Sequence, residues 1–242
     1  ESRQHSWEDP DFSKGARLFI DDDVLGYMSA QAARAEAGEA EGQTTGRGRS
    51  QPRGRALVRR SRLEVTRAIS LTPWPGDVVF SVASTGATPS AATKGAFPVP
   101  YSAEVHATRY QYGFALTPEA LIDQQRAIDV VDAIVELGDV AGNHARFFFD
   151  FAPDTIIFRW TDDFAPRLLY PFVAGPDGKL GVPELLRRVE DGDIAASELI
   201  VGGSLAREQD GARLRELGAT VFGGVKQAAE EAKRRLGEVI AQ

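Results

Sequence analysis

Few residues in this sequence have the types and spacing for chemistry. Asp21-Asp22-Asp23 is the only run of three consecutive acids. Converging carboxylates hold hard divalent cations, and a metal-dependent nuclease needs such a set. The competing reading is a solvated loop, or a helix N-terminus before Val24-Leu25, where acids suit the helix dipole. Neighbouring side chains rarely converge on one ion and no second acidic cluster is apparent, so the second reading is preferred. The three histidines, His5, His106 and His144, are far apart in sequence. There is no cysteine, which removes thiol nucleophiles, zinc-thiolate sites and disulfides. No phosphate-binding loop, dinucleotide fingerprint, nucleophile elbow or HExxH motif occurs. The expectation is a protein without catalytic residues, metal or cofactor.

The basic residues are more informative. Net charge is −7, which taken alone argues against a polyanionic partner. Yet Arg47, Arg49, Arg53, Arg55, Arg59, Arg60, Arg62 and Arg67 fall in one window with a single acid, Glu64. The remainder holds 20 basic against 34 acidic residues, a net −14. This is an acidic body with one concentrated cationic segment, and local field matters more than total charge for capturing a polyanion. The segment reads as a nucleic-acid arm, with a solvated linker as the alternative. Gly142-Asn143-His144-Ala145-Arg146 is either a turn presenting polar side chains or a simple helix-to-strand connection. Gly202-Gly203-Ser204 fits an anion site at the following helix N-terminus, but a tight strand-to-helix turn is preferred.

These residues need elements to position them. The chain's 242 residues, 43% hydrophobic, suffice for one sizeable core with an inserted lobe. No apolar run reaches the roughly 18 residues of a membrane span, so a cytoplasmic protein is expected. Residues 29–56 lack apolar periodicity and read as a flexible insertion. Strands are expected over 63–71, 78–82, 104–116, 155–160, 168–172, 198–201 and 219–222, with another at or near 147–151. Residues 84–100 read as a loop. In the strand over 104–116, His106, Thr108, Tyr110, Tyr112, Phe114 and Leu116 are expected to face the core, leaving Arg109 and Gln111 on the other surface. Thr117-Pro118 predicts a helix start, with Leu121, Ile128, Val131 and Val135 at helical spacing. Further helices are expected over 183–190, between the last two strands, and over 225–240. Strands first, then mixed elements, indicate an α+β fold.

Three phrases then carry a resemblance. Residues 68–80 read AISLTPWPGDVVF, residues 104–116 EVHATRYQYGFAL and residues 141–159 AGNHARFFFDFAPDTIIFR. Together with Ser2-Arg3-Gln4 and Val24-Leu25-Gly26-Tyr27-Met28, they resemble the DevR family of CRISPR-associated proteins. That family supplies the repeated backbone subunit of type I-B (Cascade-like) effector complexes. The resemblance is most specific over 66–172 and weak in the C-terminal third. It implies an RRM-like (ferredoxin-like) palm over 1–242, with finger and thumb segments inserted around 27–66 and a loop insertion around 84–102. The family's first palm strand precedes Ser-Arg-Gln, so N-terminal residues are expected to be missing from a sequence that opens at Glu1.

The resemblance further implies a non-catalytic subunit that coats guide RNA (crRNA) in a helical stack of its own copies. Target DNA strand and other type I effector subunits are the implied partners. Carried over by position, Ser2, Arg3 and Gln4 match the segment at the first palm helix and imply phosphate contacts. Arg67, and Asn143, His144 and Arg146 on the post-helix turn, follow by the same logic. Arg59, Arg60 and Arg62 are RNA candidates on charge alone. Tyr27 or Met28 is placed near the thumb or a neighbouring subunit. Two other readings stay open: a ribonuclease using Asp21–Asp23, because some relatives in type III complexes cleave RNA through a loop aspartate, and a DNA-binding autoregulator.

Overall fold

The computed structural model describes residues 19–29, 57–83, 99–138 and 150–241. The chain enters as a one-turn helix, α1 (Ile20–Val24), followed by a two-stranded ribbon of β1 (Tyr27–Ser29) and β2 (Leu57–Arg59). Six short strands follow: β3 (Leu63–Val65), β4 (Ile69–Ser70), β5 (Val78–Ala83), β6 (Val99–Glu104), β7 (Tyr110–Gln111) and β8 (Phe114–Leu116). Helix α2 (Arg126–Val135) leads to β9 (Thr155–Arg159), the small hairpin β10 (Val173–Ala174) and β11 (Leu180–Gly181), and helix α3 (Pro183–Glu190). Strand β12 (Leu199–Gly203), helix α4 (Gln209–Glu216), β13 (Thr220–Phe222) and helix α5 (Val225–Ile240) complete the described chain. The mixture is α+β, as the order of elements indicates.

The core forms around a three-stranded sheet in the order β13-β12-β9. Strand β12 runs parallel to β13 and antiparallel to β9, with Ile200 opposite Thr220 and Phe158. Successive side chains on a strand point to opposite faces. Ile156, Phe158 and Ile200 accordingly pack with α2 and α5, through Ala127, Val131, Val135, Ala228, Ala232 and Leu236. Ile157, Leu199 and Val201 pack on the other face with Leu185, Val189, Leu205 and Leu214. Both faces are covered, which is why β12 is an unbroken buried run rather than an alternating one. Gly202 lets α5 approach closely: a Cβ there would stand 2.5 Å from the Cβ of Ala228.

A second body is an antiparallel arm built from 63–83 and 99–116. Leu63 pairs with Leu116 and Val65 with Phe114 at its base, Ser70 with Tyr110 in its middle, and Phe80 with Ser102 toward its tip. The residue numbers of the pairs show why the two long strands expected here are broken. Between the bond from Thr66 N to the Gly113 carbonyl and the Ile69–Gln111 pair, Arg67 and Ala68 oppose Tyr112 alone, a bulge of one residue. Further out, Pro73 and Pro75 cannot donate to a ladder, and the pairing lapses between the bond from Leu71 N to the Arg109 carbonyl (2.9 Å) and that from Val105 N to the Asp77 carbonyl (3.1 Å). The ribbon is stitched there by Trp74 Nε1 to the Val105 carbonyl (3.1 Å) and by Thr72 to Thr108 (2.7 Å between hydroxyls).

The expected facing of 104–116 holds only at the base of the arm, where the core reaches it. Phe114 and Leu116 do pack against the core, with Phe114 edge-to-face on Phe158 (centroids 5.9 Å apart). Tyr110 is exposed instead, and Gln111 is half-buried. The stretch expected as a loop over 84–100, within the 84–102 insertion, ends early because β6 begins at Val99. The ends of the expected 27–66 insertion are likewise ordered as β1, β2 and β3. Thr117-Pro118 starts a short 3-10 turn with no side-chain cap, and the α-helix begins only at Arg126. Residues 168–172 are not a strand; the next pairing is at Val173–Ala174. Residues 147–149 lie outside the described residues, and Asp150 and Phe151 are irregular.

The strand β12 ends at Gly203 with φ +102°, and a Cβ there would lie 2.1 Å from the Asp154 carbonyl oxygen. Gly203→Ala should therefore lower stability by roughly 1–3 kcal/mol or more, since strain and overlap act together. Urea denaturation checks this, and an unchanged midpoint would contradict the geometry.

Candidate nucleic-acid interface

The arginine segment enters the described structure at β2, and one carboxylate anchors it. Asp23, at the end of α1, is fully buried. Its oxygens accept from the amides of Ile122 (3.1 Å) and Asp123 (3.2 Å), from Arg126 Nη1 (2.8 Å) and from Arg59 Nη2. Burial pushes this carboxyl's pKa up. The amides of Ile122 and Asp123, the bond from Arg126 and the charge of Arg59 more than offset that, leaving it below the ordinary carboxylate value. The main chain adds two ties, Arg62 N to the Val24 carbonyl (2.8 Å) and Ser61 Oγ to the same oxygen (3.2 Å). Gly26, at φ +72°, allows the close approach: a Cβ would fall 2.3 Å from the Arg59 carbonyl.

Of the two forms of the preferred reading the helix one stands: all three acids lie in the first turn of α1. Asp22 and Asp23 are buried, so the acidic run is not a solvated loop. Nor is Asp23 available as a metal ligand, because two guanidinium groups and two amides fill its acceptor positions. Among the described residues, no group of three or more His, Asp or Glu is placed to hold a metal ion. The amides that bind Asp23 also explain the late start of α2, since residues 121–125 turn toward that carboxylate.

The four described arginines of the segment have different fates. Arg59 is committed to Asp23, with 16% of its side chain exposed. Arg60 is open to solvent and pairs only with the exposed Glu64 at 3.2 Å, an interaction of small net worth. Arg62 is half-buried, and its Nε is buried without a partner. Arg67, at the arm's bulge, is exposed. Arg60, Arg62 and Arg67 thus stand along one short stretch that leaves the Asp23 anchor and runs into the arm. Ser2, Arg3, Gln4, Asn143, His144 and Arg146 lie outside the described residues. Tyr27 and Met28 form β1, where Met28 is exposed opposite the exposed Val58.

Two exposed aromatics lie on the arm. Trp74 and Tyr110 expose 43% and 52% of their area, Tyr110 in edge contact with His106 (centroids 6.2 Å apart). Exposed aromatics offer the stacking that single-stranded nucleic acid uses beside phosphate contact. The interleaving of Arg109-Tyr110-Gln111-Tyr112 was the available signal. The arm's tip is different. Val78, Phe80, Val82 and Tyr101 are exposed there, and neither β5 nor β6 carries a basic residue.

The Gly202-Gly203-Ser204 turn holds no anion site. Ser204 bonds Thr155 Oγ1 (2.8 Å) and the Asp154 carboxylate (3.0 Å), and its amide donates to the Asp154 carbonyl (3.1 Å). A carboxylate therefore occupies the position an anion would need, and the tight-turn reading stands.

The sequence is 48% identical to the CRISPR-associated protein Cas7/Cst2/DevR of Myxococcus xanthus (strain DK1622), over an alignment covering 97% of this chain and 76% of that protein. The chain belongs to the Cas7/Cst2/DevR family. No family model matches it. The alignment spans the weakly patterned C-terminal third as well as the phrases over 66–172, so the whole described fold is that of this CRISPR-associated family. Within it, the Asp23 anchor and the arm are the features that set where the arginines stand.

Removing the Asp23 charge should take from the buried Arg126 its 2.8 Å carboxylate partner and leave the longer contact to Asp123 at 3.7 Å. Asp23→Asn is expected to cost about 3–5 kcal/mol. The native carboxyl titrates below its unfolded value, so its contribution is complete above roughly pH 4 and fades as pH falls through the folded pKa. Denaturation of both proteins between pH 7 and pH 2 tests this. The stability gap should narrow only in the acid range, and a gap independent of pH would refute the assignment.

Proposed function

We propose that this protein is a non-catalytic backbone subunit that binds guide RNA in a type I CRISPR surveillance complex, of the I-B (Cascade-like) kind. The observation that carries the reading is the stretch of exposed Arg60 and Arg67 and half-buried Arg62, fixed to the core by Asp23, in a chain of the Cas7/Cst2/DevR family. Guides differ in sequence, so a subunit that holds them must grip backbone and stack on bases rather than read base edges. Exposed arginines, with exposed Trp74 and Tyr110 on the arm, meet that need. In this reading the sheet and its helices are the RRM-like palm, finger and thumb lie around 27–66, and the arm over 63–83 and 99–116 is a further extension of the palm. The arm's apolar strands β5 and β6, which carry no basic residue, suit contact with a neighbouring copy rather than with phosphate. Head-to-tail contacts of this sort propagate as open helical stacks. The protein then acts in the cytoplasm, with target DNA and other effector subunits as partners.

The ribonuclease reading is weakened by one specific observation, that Asp23 is already saturated by Arg59 and Arg126. The autoregulator reading differs in requiring promoter DNA and no guide.

Purification from cells expressing the protein's own locus should yield discrete RNAs with a repeat-derived end and protection at regular spacing. Nucleic-acid-free protein would overturn the proposal. In titrations with single-stranded RNA, replacing Arg60, Arg62 and Arg67 together by Ala should flatten the plot of log affinity against log salt by about 2, at roughly 0.7 per phosphate contact. An unchanged slope would move the phosphate contacts elsewhere.

A further inference from the structure

The arm's direction is set at its middle, by contacts that the core does not need. Its tip is exposed on both strands, and a two-stranded ribbon is by itself marginally stable. The bulge at Arg67–Ala68 is the natural place for such a ribbon to bend. At that level one segment of the chain, residues 154–178, grips both strands.

The grip has three parts. The Gln111 side chain forms a reciprocal pair with the backbone of Phe172: its Nε2 donates to the Phe172 carbonyl (3.0 Å) and its Oε1 accepts from the Phe172 amide (3.0 Å). An amide held at both ends cannot swivel. Arg109 donates from Nη1 to the Gly178 carbonyl (3.1 Å), and its Nη2 lies 3.5 Å from the Asp154 carboxylate. On the other strand, the Arg67 carbonyl accepts from the Tyr170 hydroxyl (3.0 Å). Tyr170 is the only residue other than glycine with positive φ, at +48°, among the described residues. A bulky side chain keeps that conformation only where its surroundings over-determine it. Tyr170 gains its bond to the arm in exchange.

We infer that Gln111 and Tyr170 are positioning residues that lock the arm at a fixed angle to the C-terminal sheet, so that the arm works as a rigid strut. The inference rests on the proposed stacking of copies along RNA, where each arm must meet its neighbour at the same angle every time. Preorganising the arm removes the ordering cost from each addition to the stack. Gln111 and Tyr170 are only partly buried, so their loss empties no core position.

The chain has no cysteine, so introduced thiols label uniquely. Nitroxides at Ser102→Cys on the arm and Ala212→Cys on α4 give an arm-to-body distance distribution by pulsed electron paramagnetic resonance. The parent should show one narrow distribution. Adding Gln111→Ala and Tyr170→Phe should broaden it at least two-fold, with the melting temperature moving by only a few degrees. An unchanged width overturns the brace. The pair of variants should also keep the affinity for an RNA short enough for one copy, while cooperativity on a long RNA falls at least ten-fold. Broadening with cooperativity intact overturns the positioning role. If the parent binds no RNA at all, the proposed function fails, and the width comparison still decides the brace.

Discussion

A single buried carboxylate fixes the geometry on which the rest of the molecule depends. Asp23 lies 36 residues from Arg59 and about 100 from Ile122, Asp123 and Arg126, yet it binds all four. A buried ion pair of this kind is weak as a source of net stability, because desolvation offsets most of its attraction. Its worth lies in specificity. A carboxylate with every acceptor position filled tolerates one arrangement of α1, β2 and the start of α2. A hydrophobic replacement would hold the same elements together without fixing their rotation.

That specificity decides which arginines remain free. Arg59 and Arg60 are neighbours with the same charge, and a strand sends them to opposite sides. One neutralises Asp23 and the other faces solvent. The anchor thus converts a run of like charges into a structural residue followed by exposed ones. The acidic remainder of the chain then helps rather than hinders, since most of its arginines are matched locally. Arg159 with Asp163 and Glu198, Arg187 with Glu184 and Asp191, and Arg213 with Glu190 and Glu216 are examples. Asp163 in particular is held down to about 2 by the Ala165 amide and Arg167. Cations paired in this way offer little to a phosphate, so the proposed RNA contact is assigned to arginines that lack a tight acid partner.

What could be read from the sequence follows the range of the forces involved. Helices α3 and α5 fall on the expected residues because their apolar spacing and the proline at the start of α3 are local signals. Strand β9 is likewise legible as a short β-branched and aromatic run. The family was legible too, since it lives in contiguous phrases. The breaks in the arm were not. A bulge is a relation between two strands, and neither 63–71 nor 104–116 announces by itself that two residues will oppose one. Asp23 was illegible for the same reason, with partners far along the chain. One local clue existed: Arg126 lies four residues before Val130, on the buried face of α2, and a charge on an apolar helical stripe requires a buried counter-charge.

The same distinction separates the two halves of the functional surface. Phosphate contact needs only accessible positive charge, which composition reveals. Stacking and assembly need orientation, which depends on the arm. Strands β5 and β6 carry exposed apolar side chains on both faces and no basic residue, a liability on a free monomer. Such a surface persists when the working state of the protein covers it. An arm that is apolar at its tip, braced at its middle and rooted in the core at Leu63, Phe114 and Leu116 has the mechanical form of a connector. In the proposed function the arginines at its root would hold RNA where consecutive arms meet, and the Asp23 anchor would fix both contacts through one ribbon.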